Sequence, residues 1–244
     1  APRSSLNPSD DRFYIQDEAS QLVALLLSPA PGDNVLDACS APGGKTTHLA
    51  ALMKNEGILV ALDKDKERLK RVSLLASRFD LGIIKTFSTD LEMEDNLERV
   101  FEKTVKMGVS KEGFDSVLVD APCSGLGVLG RTPDIKYSRK EEDVLRLAVV
   151  QARLLENLAK VVRPGGVLVY SVCTTEPEET VDVVENFLKK NADFILEDPS
   201  GYLPSSVLEF VTEDGFLITL PSGDSTANKK HMDAFFAVRL RRTR

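Results

Sequence analysis

The chain contains 244 residues, 42% of them hydrophobic, and its 38 acidic against 31 basic side chains give a formal net charge of −7. This length supports one compact domain with a buried sheet. The acidic balance excludes a surface that is basic throughout, so any contact with nucleic acid must be local. No apolar run approaches the ~18 residues of a membrane span and no leader pattern opens the chain, so we expect a cytoplasmic protein.

The cysteines and histidines limit the chemistry further. Cys39, Cys123 and Cys173 are odd in number and scattered, which favours reduced thiols over a disulfide framework. His48 and His231 are far apart and no Cys-x-x-Cys sequence occurs, so we predict no metal site. Each thiol therefore needs its own explanation.

Helical and strand patterns alternate along the chain. Apolar spacing predicts an amphipathic lead-in helix in 16–27, and we divide the chain into an N-terminal segment with this helix, 1–28, and a main domain, 29–244. Short apolar runs predict strands at 34–38, 57–63, 82–87, 114–120 and 165–171. Helical patterns begin near 45, cover 69–79 and 145–162, and follow Glu176 towards a run at 194–198. Two late strand-like runs, 215–220 and 233–240, are expected to pair antiparallel, with a mobile polar loop at 221–230 between them.

This alternation predicts an α/β fold, in which helices cover both faces of a mainly parallel sheet. In such sheets a ligand binds beyond the carboxyl ends of the strands. Acids and cysteines follow the predicted strands at these ends: Cys39, Asp63, Asp90, Asp120 with Cys123, and Cys173. We therefore place the functional site at this edge.

The first strand leads into a glycine-rich turn, 39–46, with the sequence CSAPGGKT. A phosphate-binding P-loop requires glycine where Cys39 stands, and no G-x-G-x-x-G sequence occurs. What remains is a tight turn that brings backbone N–H groups close to a ligand. Asp63 ends the next strand, where an acid accepts hydrogen bonds from ribose hydroxyls in such folds. These features indicate an adenosine-bearing cofactor; the alternative is a plain strand-to-helix turn with a surface acid.

Cys173 closes the fifth predicted strand and precedes a helical pattern. Thr175 and Glu178 have capping-box spacing, which places the thiol near a helix N-terminus. The helix dipole would lower the pKa of such a thiol and supply a nucleophile. Cys123 lies on the neighbouring loop, so two thiols and a carboxylate are expected to converge; the alternative is a pair of small buried cysteines. A serine hydrolase is excluded because Ser124 lacks the flanking glycines.

Two segments are locally basic. The segment 127–140 contributes Arg131 and Lys136 among its four basic residues, and the chain ends in RLRRTR at 239–244. Either both are solvated surface, which is the simpler interpretation, or they contact nucleic acid.

Four blocks carry a specific resemblance, namely 37–50 (DACSAPGGKTTHLA), 118–137 (LVDAPCSGLGVLGRTPDIKY), 170–179 (YSVCTTEPEE) and 231–240 (HMDAFFAVRL). Together they resemble the signature blocks of RNA cytosine-C5 methyltransferases, in order and over nearly the whole chain. The PDIKY segment resembles bacterial 16S ribosomal RNA enzymes of the RsmB (Sun) type. The resemblance implies a class I, Rossmann-like methyltransferase fold: a mostly parallel seven-stranded sheet with helices on both faces and an antiparallel edge strand.

The resemblance also implies S-adenosylmethionine as cofactor. It would lie across the turn, with Asp63 on the ribose, Asp90 at the adenine edge, and Asp120 at the methionine end or the cytosine. The implied cofactor-binding residues are Cys39, Ser40, Ala41, Pro42, Gly43, Gly44, Lys45, Asp63, Asp90 and Asp120.

For catalysis, the resemblance implies Cys173 as the nucleophile and Cys123 as the residue that assists product release. A thiolate that adds to cytosine C6 makes C5 nucleophilic towards the methyl group. Asp120 would stabilise this adduct through the N3/N4 edge of the base. The implied partner is RNA, specifically small-subunit ribosomal RNA, with Arg131 and Lys136 as candidate substrate-binding residues.

Two rival functions stay open at this point. A DNA cytosine-C5 methyltransferase would use Cys123 as its nucleophile, and an RNA-binding scaffold would keep the fold without catalysis. The chain departs from the family pattern at four positions that carry no reacting group: Ser40, Val172, Thr174 and Ala234. Enzymes of the RsmB type carry a helical RNA-binding domain before this region, so the chain is either a fragment or contacts RNA through another surface.

Overall fold

A computed structural model describes residues 13–221 and 232–244 of the chain. The predicted polar loop lies, after Pro221, outside the described residues, and so does His231. The described helices are α1 Glu18–Leu27, α2 Gly44–Leu52, α3 Lys66–Arg78, α4 Glu94–Val105, α5 Ile135–Ser138, α6 Glu141–Ala159 and α7 Val181–Lys190. The described strands are β1 Asn34–Asp37, β2 Ile58–Asp63, β3 Ile84–Ser88, β4 Phe114–Asp120, β5 Val162–Val172, β6 Phe194–Leu196, β7 Leu217–Thr219 and β8 Phe235–Arg242.

All eight described strands form one sheet in the order β3-β2-β1-β4-β5-β8-β6, with β7 also paired to β8. The strands β1 to β5 pair with one another in parallel, and β8 is antiparallel to β5, β6 and β7. The predicted mostly parallel α/β fold is confirmed, as is the antiparallel pairing of the two late runs. The antiparallel pairings lie together at one edge of the sheet, where β8 stands between β5 and the short strands β6 and β7.

The length of β8 explains why this strand lies between β5 and two shorter strands. Its last residues pair with β6, through Leu196 opposite Leu240, and its first residues pair with β7, through Thr219 opposite Phe235. Two strands of three residues each therefore cover the outer edge of one strand of eight. The described sheet has eight strands where seven were expected, because β7 shares this edge with β6.

Helices cover both faces of the sheet, as alternation along the strands requires. Leu36 and Val117 pack in one core cluster with residues of α4, α6 and α7, whereas Val35 and Leu118 pack in another with α1 and α2. The lead-in helix α1 thus belongs to the core. Each parallel strand is sandwiched, so the ends of the strands are the places where polar groups remain accessible.

Helix α4 was not predicted, although its sequence carries the signal. Leu97, Val100 and Thr104 are its buried residues, at the spacing of one helical face. Many residues of α4 are charged and only two of its buried side chains are aliphatic, so the apolar face of the helix was not recognised from the sequence.

The arginines at the end of the chain serve the sheet rather than a free basic surface. Arg239, 3% exposed, donates to Glu197 at 2.6 Å and to the carbonyl of Leu26 at 2.6 Å, which ties α1 to β8. Arg241 pairs with Glu197 at 2.8 Å, and Arg242 donates to an aspartate of the loop between α7 and β6. Two acids thus pair with three of the four arginines at 239–244, and buried Arg239 is neither solvated surface nor free to contact nucleic acid.

Candidate active site

A cavity of about 330 Å³ opens at the carboxyl ends of the parallel strands. It brings together seven of the residues predicted for the site: Cys39, Ala41, Asp63, Asp90, Asp120, Cys123 and Cys173. They come from the ends of five different strands, and they meet because parallel strands point their carboxyl ends to one edge. We call this space the strand-end cavity.

A second cavity of about 190 Å³ lies beside the first and shares Cys39, Ala41 and Asp120 with it. Its walls include the predicted residues Ser40, Pro42, Gly44, Lys45 and Arg131. The lead-in segment closes it with Gln16 and Asp17, neither of which was predicted. We call this space the lead-in cavity.

Gly43 lines neither cavity among the described residues, and its role is different. Its φ of 112° lies in the left-handed region that favours glycine. A Cβ atom there would lie 3.1 Å from both Val72 and Leu75 of α3. Gly43 therefore lets the turn enter α2 while α2 packs closely against α3.

Hydrogen bonds hold the glycine-rich turn against the end of β2. The Ala41 N–H donates to Asp63 Oδ2 at 3.2 Å, and the Ser40 hydroxyl donates to the Leu62 carbonyl at 3.0 Å. The other oxygen of Asp63 accepts from Asp65 N at 2.9 Å. Asp63 is buried at the wall of the strand-end cavity, and the two hydrogen bonds that it accepts hold its carboxylate in place.

Asp37, the last residue of β1, is a candidate site residue that the sequence analysis did not single out. It is fully buried, and Thr46 Oγ1 donates to its Oδ2 at 2.7 Å. Its Oδ1 has no hydrogen-bond partner among the described residues. Burial raises the pKa of Asp37 to about 7. The signal was its position as an acid at a strand end.

Lys45 and Asp120 form an ion pair at the boundary between the two cavities. Lys45 Nζ lies 2.7 Å from Asp120 Oδ2, and the Ser171 hydroxyl donates to Asp120 Oδ1 at 2.9 Å. Lys45 also lies over the ring of Phe235, with Nζ 4.9 Å from its centroid. Asp120 keeps 27% of its side chain exposed, so its carboxylate is oriented and still reachable from the cleft.

The two predicted thiols are in direct contact, with 3.2 Å between Cys123 Sγ and Cys173 Sγ. The hydrogen bond from Cys123 lowers the pKa of Cys173, with a further contribution from Lys45, against burial and the negative charge of Asp120. The same bond, with burial, raises the pKa of Cys123 well above its usual range. The pair therefore favours a thiolate at Cys173 and a thiol at Cys123.

The predicted cause of this low pKa was wrong. Residues Pro177–Glu179 form a 3-10 turn, and α7 begins only at Val181. The N-cap of the turn is Glu176, and no side chain caps it in the described part of the chain, so Thr175 and Glu178 form no capping box. Cys123 and Lys45, rather than a helix dipole, favour the thiolate.

Cys39, the third thiol, has the opposite environment. Burial raises its pKa, and the negative charges of Asp120, Asp63 and Asp37 raise it further. Cys39 therefore stays a protonated thiol and contributes to the cavity wall.

The structure separates the two predicted RNA-binding residues. Arg131 lines the lead-in cavity, where its guanidinium pairs with Asp233. Lys136 is exposed on α5, away from the described walls of both cavities.

Gly127 joins three parts of the site, and the sequence analysis did not find it. Its N–H donates to the Cys173 carbonyl at 3.0 Å, and its carbonyl accepts from Ala234 N at 3.0 Å. A Cβ atom at Gly127 would lie 2.1 Å from the Ala234 carbonyl oxygen. The close approach of the backbones requires glycine here.

Two negative findings apply to residues 13–221 and 232–244. They hold no group of three or more His, Cys, Asp or Glu side chains with the geometry of a metal site. None of their helices is long and apolar enough to cross a membrane.

Curated relatives match the chain over most of its length. It is 41% identical over 229 residues to "Probable ribosomal RNA small subunit methyltransferase B" of Bacillus subtilis, covering 93% of this chain and 47% of that protein. The protein of the same name in Synechocystis is 36% identical, over 94% of this chain and 48% of its own. The chain thus spans about half the length of these relatives.

Solved structures also match the chain over most of its length. NSun6 from Pyrococcus horikoshii with SFG, an S-adenosylmethionine analogue, has a TM-score of 0.76 and 30% identity, covering 99% of this chain and 56% of that one. A methyltransferase homolog protein from the same organism has a TM-score of 0.70 and 31% identity, over 94% and 68% of the two chains. A family model described as "16S rRNA methyltransferase RsmB/F" matches residues 24–241. The chain therefore belongs to the RsmB/F family of S-adenosylmethionine-dependent methyltransferases.

Proposed function

We propose that the chain transfers a methyl group from S-adenosylmethionine to carbon 5 of a cytosine in small-subunit ribosomal RNA. The observation that carries this proposal is the pair of thiols 3.2 Å apart, at the strand-end cavity, with the lower pKa at Cys173. Membership of the RsmB/F family supports ribosomal RNA as the substrate.

The residues present fit S-adenosylmethionine. Asp63 and Asp90 line the strand-end cavity and are acceptors for the ribose hydroxyls and the adenine edge. The turn at 39–45 supplies the wall on the other side. Asp37 Oδ1, which is buried and has no partner in the described residues, is an acceptor suited to an ammonium group such as that of the methionine moiety. The bound cofactor supplies an electrophilic methyl group.

The proposed chemistry begins at Cys173. Its thiolate forms a bond to cytosine C6, and the electron pair of the C5–C6 double bond becomes available at C5 to take the methyl group. As C5 takes the methyl group, the bond between that methyl group and the sulfonium sulfur breaks and leaves a neutral thioether. Loss of the C5 proton to water then restores the double bond as the bond between sulfur and C6 breaks, which returns Cys173 to its thiolate. Cys123 holds a proton beside Cys173, where it stabilises the thiolate before attack and after release.

Asp120 and Lys45 act on the base and on the nucleophile. Lys45 and Ser171 orient Asp120, and we propose that Asp120 hydrogen-bonds the N3/N4 edge of cytosine and stabilises the adduct. Lys45 also favours the Cys173 thiolate by its positive charge. Arg131 and Lys136 are proposed to contact the RNA backbone around the flipped base.

Tritium release tests the proposal. The chain is incubated with S-adenosylmethionine and 16S RNA labelled with tritium at cytosine C5, both naked and in partly assembled small subunits, and the modified position is mapped. We expect one cytosine to lose tritium as it gains a methyl group. If the chain binds S-adenosylhomocysteine but methylates neither substrate, or methylates a base without releasing C5 tritium, the proposal is wrong.

The identity of the cross-linked cysteine separates this function from DNA-type catalysis. RNA containing 5-fluorocytosine blocks proton loss and should trap a bond to Cys173, identified by mass spectrometry of the digested complex. A bond to Cys123 would instead support the mechanism in which that residue is the nucleophile.

A further inference from the structure

Glu179 is a buried carboxyl group that the chemistry above does not use. It ends the 3-10 turn Pro177–Glu179, six positions after Cys173, and its residue surface is 0% exposed. Its Oε1 accepts hydrogen bonds from Ser124 N at 2.9 Å and from Gln151 Nε2 at 2.8 Å. One carboxyl oxygen thus connects the segment of one thiol, the loop of the other, and helix α6.

Glu179 and Gln151 hold the loop on both sides of Cys123. Gln151 Nε2 also donates to the carbonyl of Pro122 at 2.9 Å. The carbonyl before Cys123 and the N–H after it are therefore fixed by the same pair of side chains. We call this pair the Glu179–Gln151 clamp.

The clamp is itself fixed to the segment of Cys173. The hydroxyl of Tyr170, a fully buried residue of β5, donates to the Glu179 carbonyl at 2.6 Å. Ser124 Oγ donates to Thr174 Oγ1 at 3.2 Å, beside Cys173. The two thiol-bearing segments are thus joined at two points on the inner side of the site.

Packing alone does not account for these polar side chains. Glu179 Oε2 and Gln151 Oε1 are buried and have no hydrogen-bond partner in the described parts of the chain. Burying such atoms costs free energy, and apolar side chains of the same size would avoid that cost. The polar atoms that do have partners bind the backbone next to Cys123, and this is the contact that apolar side chains would lose.

We propose that Glu179, with Gln151, is a positioning residue that holds the Cys123 thiol against Cys173. The inference rests on the role proposed above for the two thiols, and it assigns their 3.2 Å separation to this clamp. Without the clamp, the loop loses its inner anchor, and the Cys123 thiol no longer donates steadily to Cys173.

A test of the clamp must leave the other charged and titratable groups that face the thiols in place. Asp120 and Lys45 face Cys173, and Tyr170 lies near Cys123. The clamp contacts neither Asp120 nor Lys45 through any bond described for it, so changing the clamp leaves their ion pair in place. A change in Cys173 reactivity then reports the thiol contact.

The test is the pH profile of Cys173 alkylation by iodoacetamide, resolved by peptide mass spectrometry, without RNA or cofactor. Glu179→Ala should shift the profile to higher pH, and alkylation near pH 7 should fall about tenfold, the change in thiolate fraction for a shift of about one pKa unit. Glu179→Gln should restore the wild-type profile, because its amide oxygen accepts from the same two donors. Gln151→Met, which removes only the amide, should shift the profile in the same direction as Glu179→Ala.

Glu178→Ala is the matched control, because Glu178 is an exposed acid on the same turn. It should leave the profile unchanged. Binding of S-adenosylhomocysteine and thermal unfolding show whether each variant is folded, and Gln151→Met decides the matter if Glu179→Ala does not fold. An unchanged profile in a folded Glu179→Ala or Gln151→Met protein, an equal shift in Glu178→Ala, or no rescue by Glu179→Gln would overturn the inference.

This test is independent of methyl transfer. If the profile shifts as expected while the wild type releases no tritium from cytosine, the clamp stands and the proposed function falls. If the wild type methylates RNA and the profile does not move, the proposed function stands and the clamp falls.

Discussion

The two walls of the cleft affect a thiol in opposite ways. On the wall formed by the glycine-rich turn, Cys39 is partly buried near carboxylates, and desolvation together with their negative charge raises its pKa. On the wall formed by Cys123 and Cys173, the Cys173 thiol is also partly buried. Its pKa is nevertheless lowered by a hydrogen bond donated from Cys123 and by the charge of Lys45. Burial alone raises the pKa of a thiol, so a nearby donor and cation are needed to make a nucleophile. The comparison predicts that one cysteine reacts and another beside it does not.

Replacing the proposed nucleophile should have the largest effect. Cys173→Ala should reduce methyl transfer to background and form no covalent complex, while binding S-adenosylhomocysteine like the wild type. Denaturing gel electrophoresis with RNA that contains 5-fluorocytosine, which traps the adduct, measures the complex, and tritium release from C5-labelled RNA measures methyl transfer. Cys39→Ala is the control from the other wall and should still form the complex. A trapped complex in Cys173→Ala would reverse the assignment of the two cysteines.

Removing the partner thiol should separate attack from release. Cys123→Ala should stall as a covalent protein–RNA complex that survives denaturation, and the double variant with Cys173→Ala should show none. Because the Cys123 hydrogen bond lowers the pKa of Cys173, attack in Cys123→Ala should also be slower at neutral pH and recover as pH rises. If both thiols were only core packing, each change would cost about 1 kcal/mol of stability and leave no covalent species.

On the wall that carries Cys39, the substitution Asp37→Asn should change how the free energy of unfolding depends on pH. The folded pKa of Asp37 is about 7 against 3.8 in a free side chain, so its contribution to stability is full below about pH 3.8 and is lost as pH rises through about 7. Relative to Asp37→Asn, the wild type should lose unfolding free energy over this range, by up to about 1.4 kcal/mol per unit of pKa shift. Urea denaturation at a series of pH values measures it; parallel curves for the two proteins would contradict the raised pKa.

The smallest effect is expected at the two predicted RNA-binding residues, which lie outside the strand-end cavity as described. Replacing Arg131 and Lys136 with Ala should weaken RNA binding and lower its salt slope by about one for each phosphate contact removed. Lys136→Ala alone should leave the affinity for S-adenosylhomocysteine unchanged, since Lys136 lines neither cavity as described. Fluorescence titrations at several salt concentrations test this. Equal RNA affinity and salt slope in the variant would mean that both side chains are ordinary surface.

The sequence by itself predicted the described strands and most of the helices in chain order, apart from α4 and the four-residue α5, and it predicted the residues at the strand ends. Alternating apolar runs have a period that reports which faces are buried, and this depends only on neighbouring residues. The meeting of Cys39, Asp63, Asp120 and the two other cysteines followed, because parallel strands bring their ends to one edge. The turn at 39–45 could be recognised because glycine is needed where the backbone must come close.

Only the tertiary structure decided the features that depend on residues far apart in the chain. The place of β8 inside the sheet depends on two short strands that share its outer edge. The paired arginines at the end of the chain needed acids from a distant loop, and the low pKa of Cys173 came from Cys123, 50 residues away, instead of the local helix that sequence spacing favoured. A pKa is set by the groups in contact with the side chain, and local sequence spacing cannot specify contacts between separate strands.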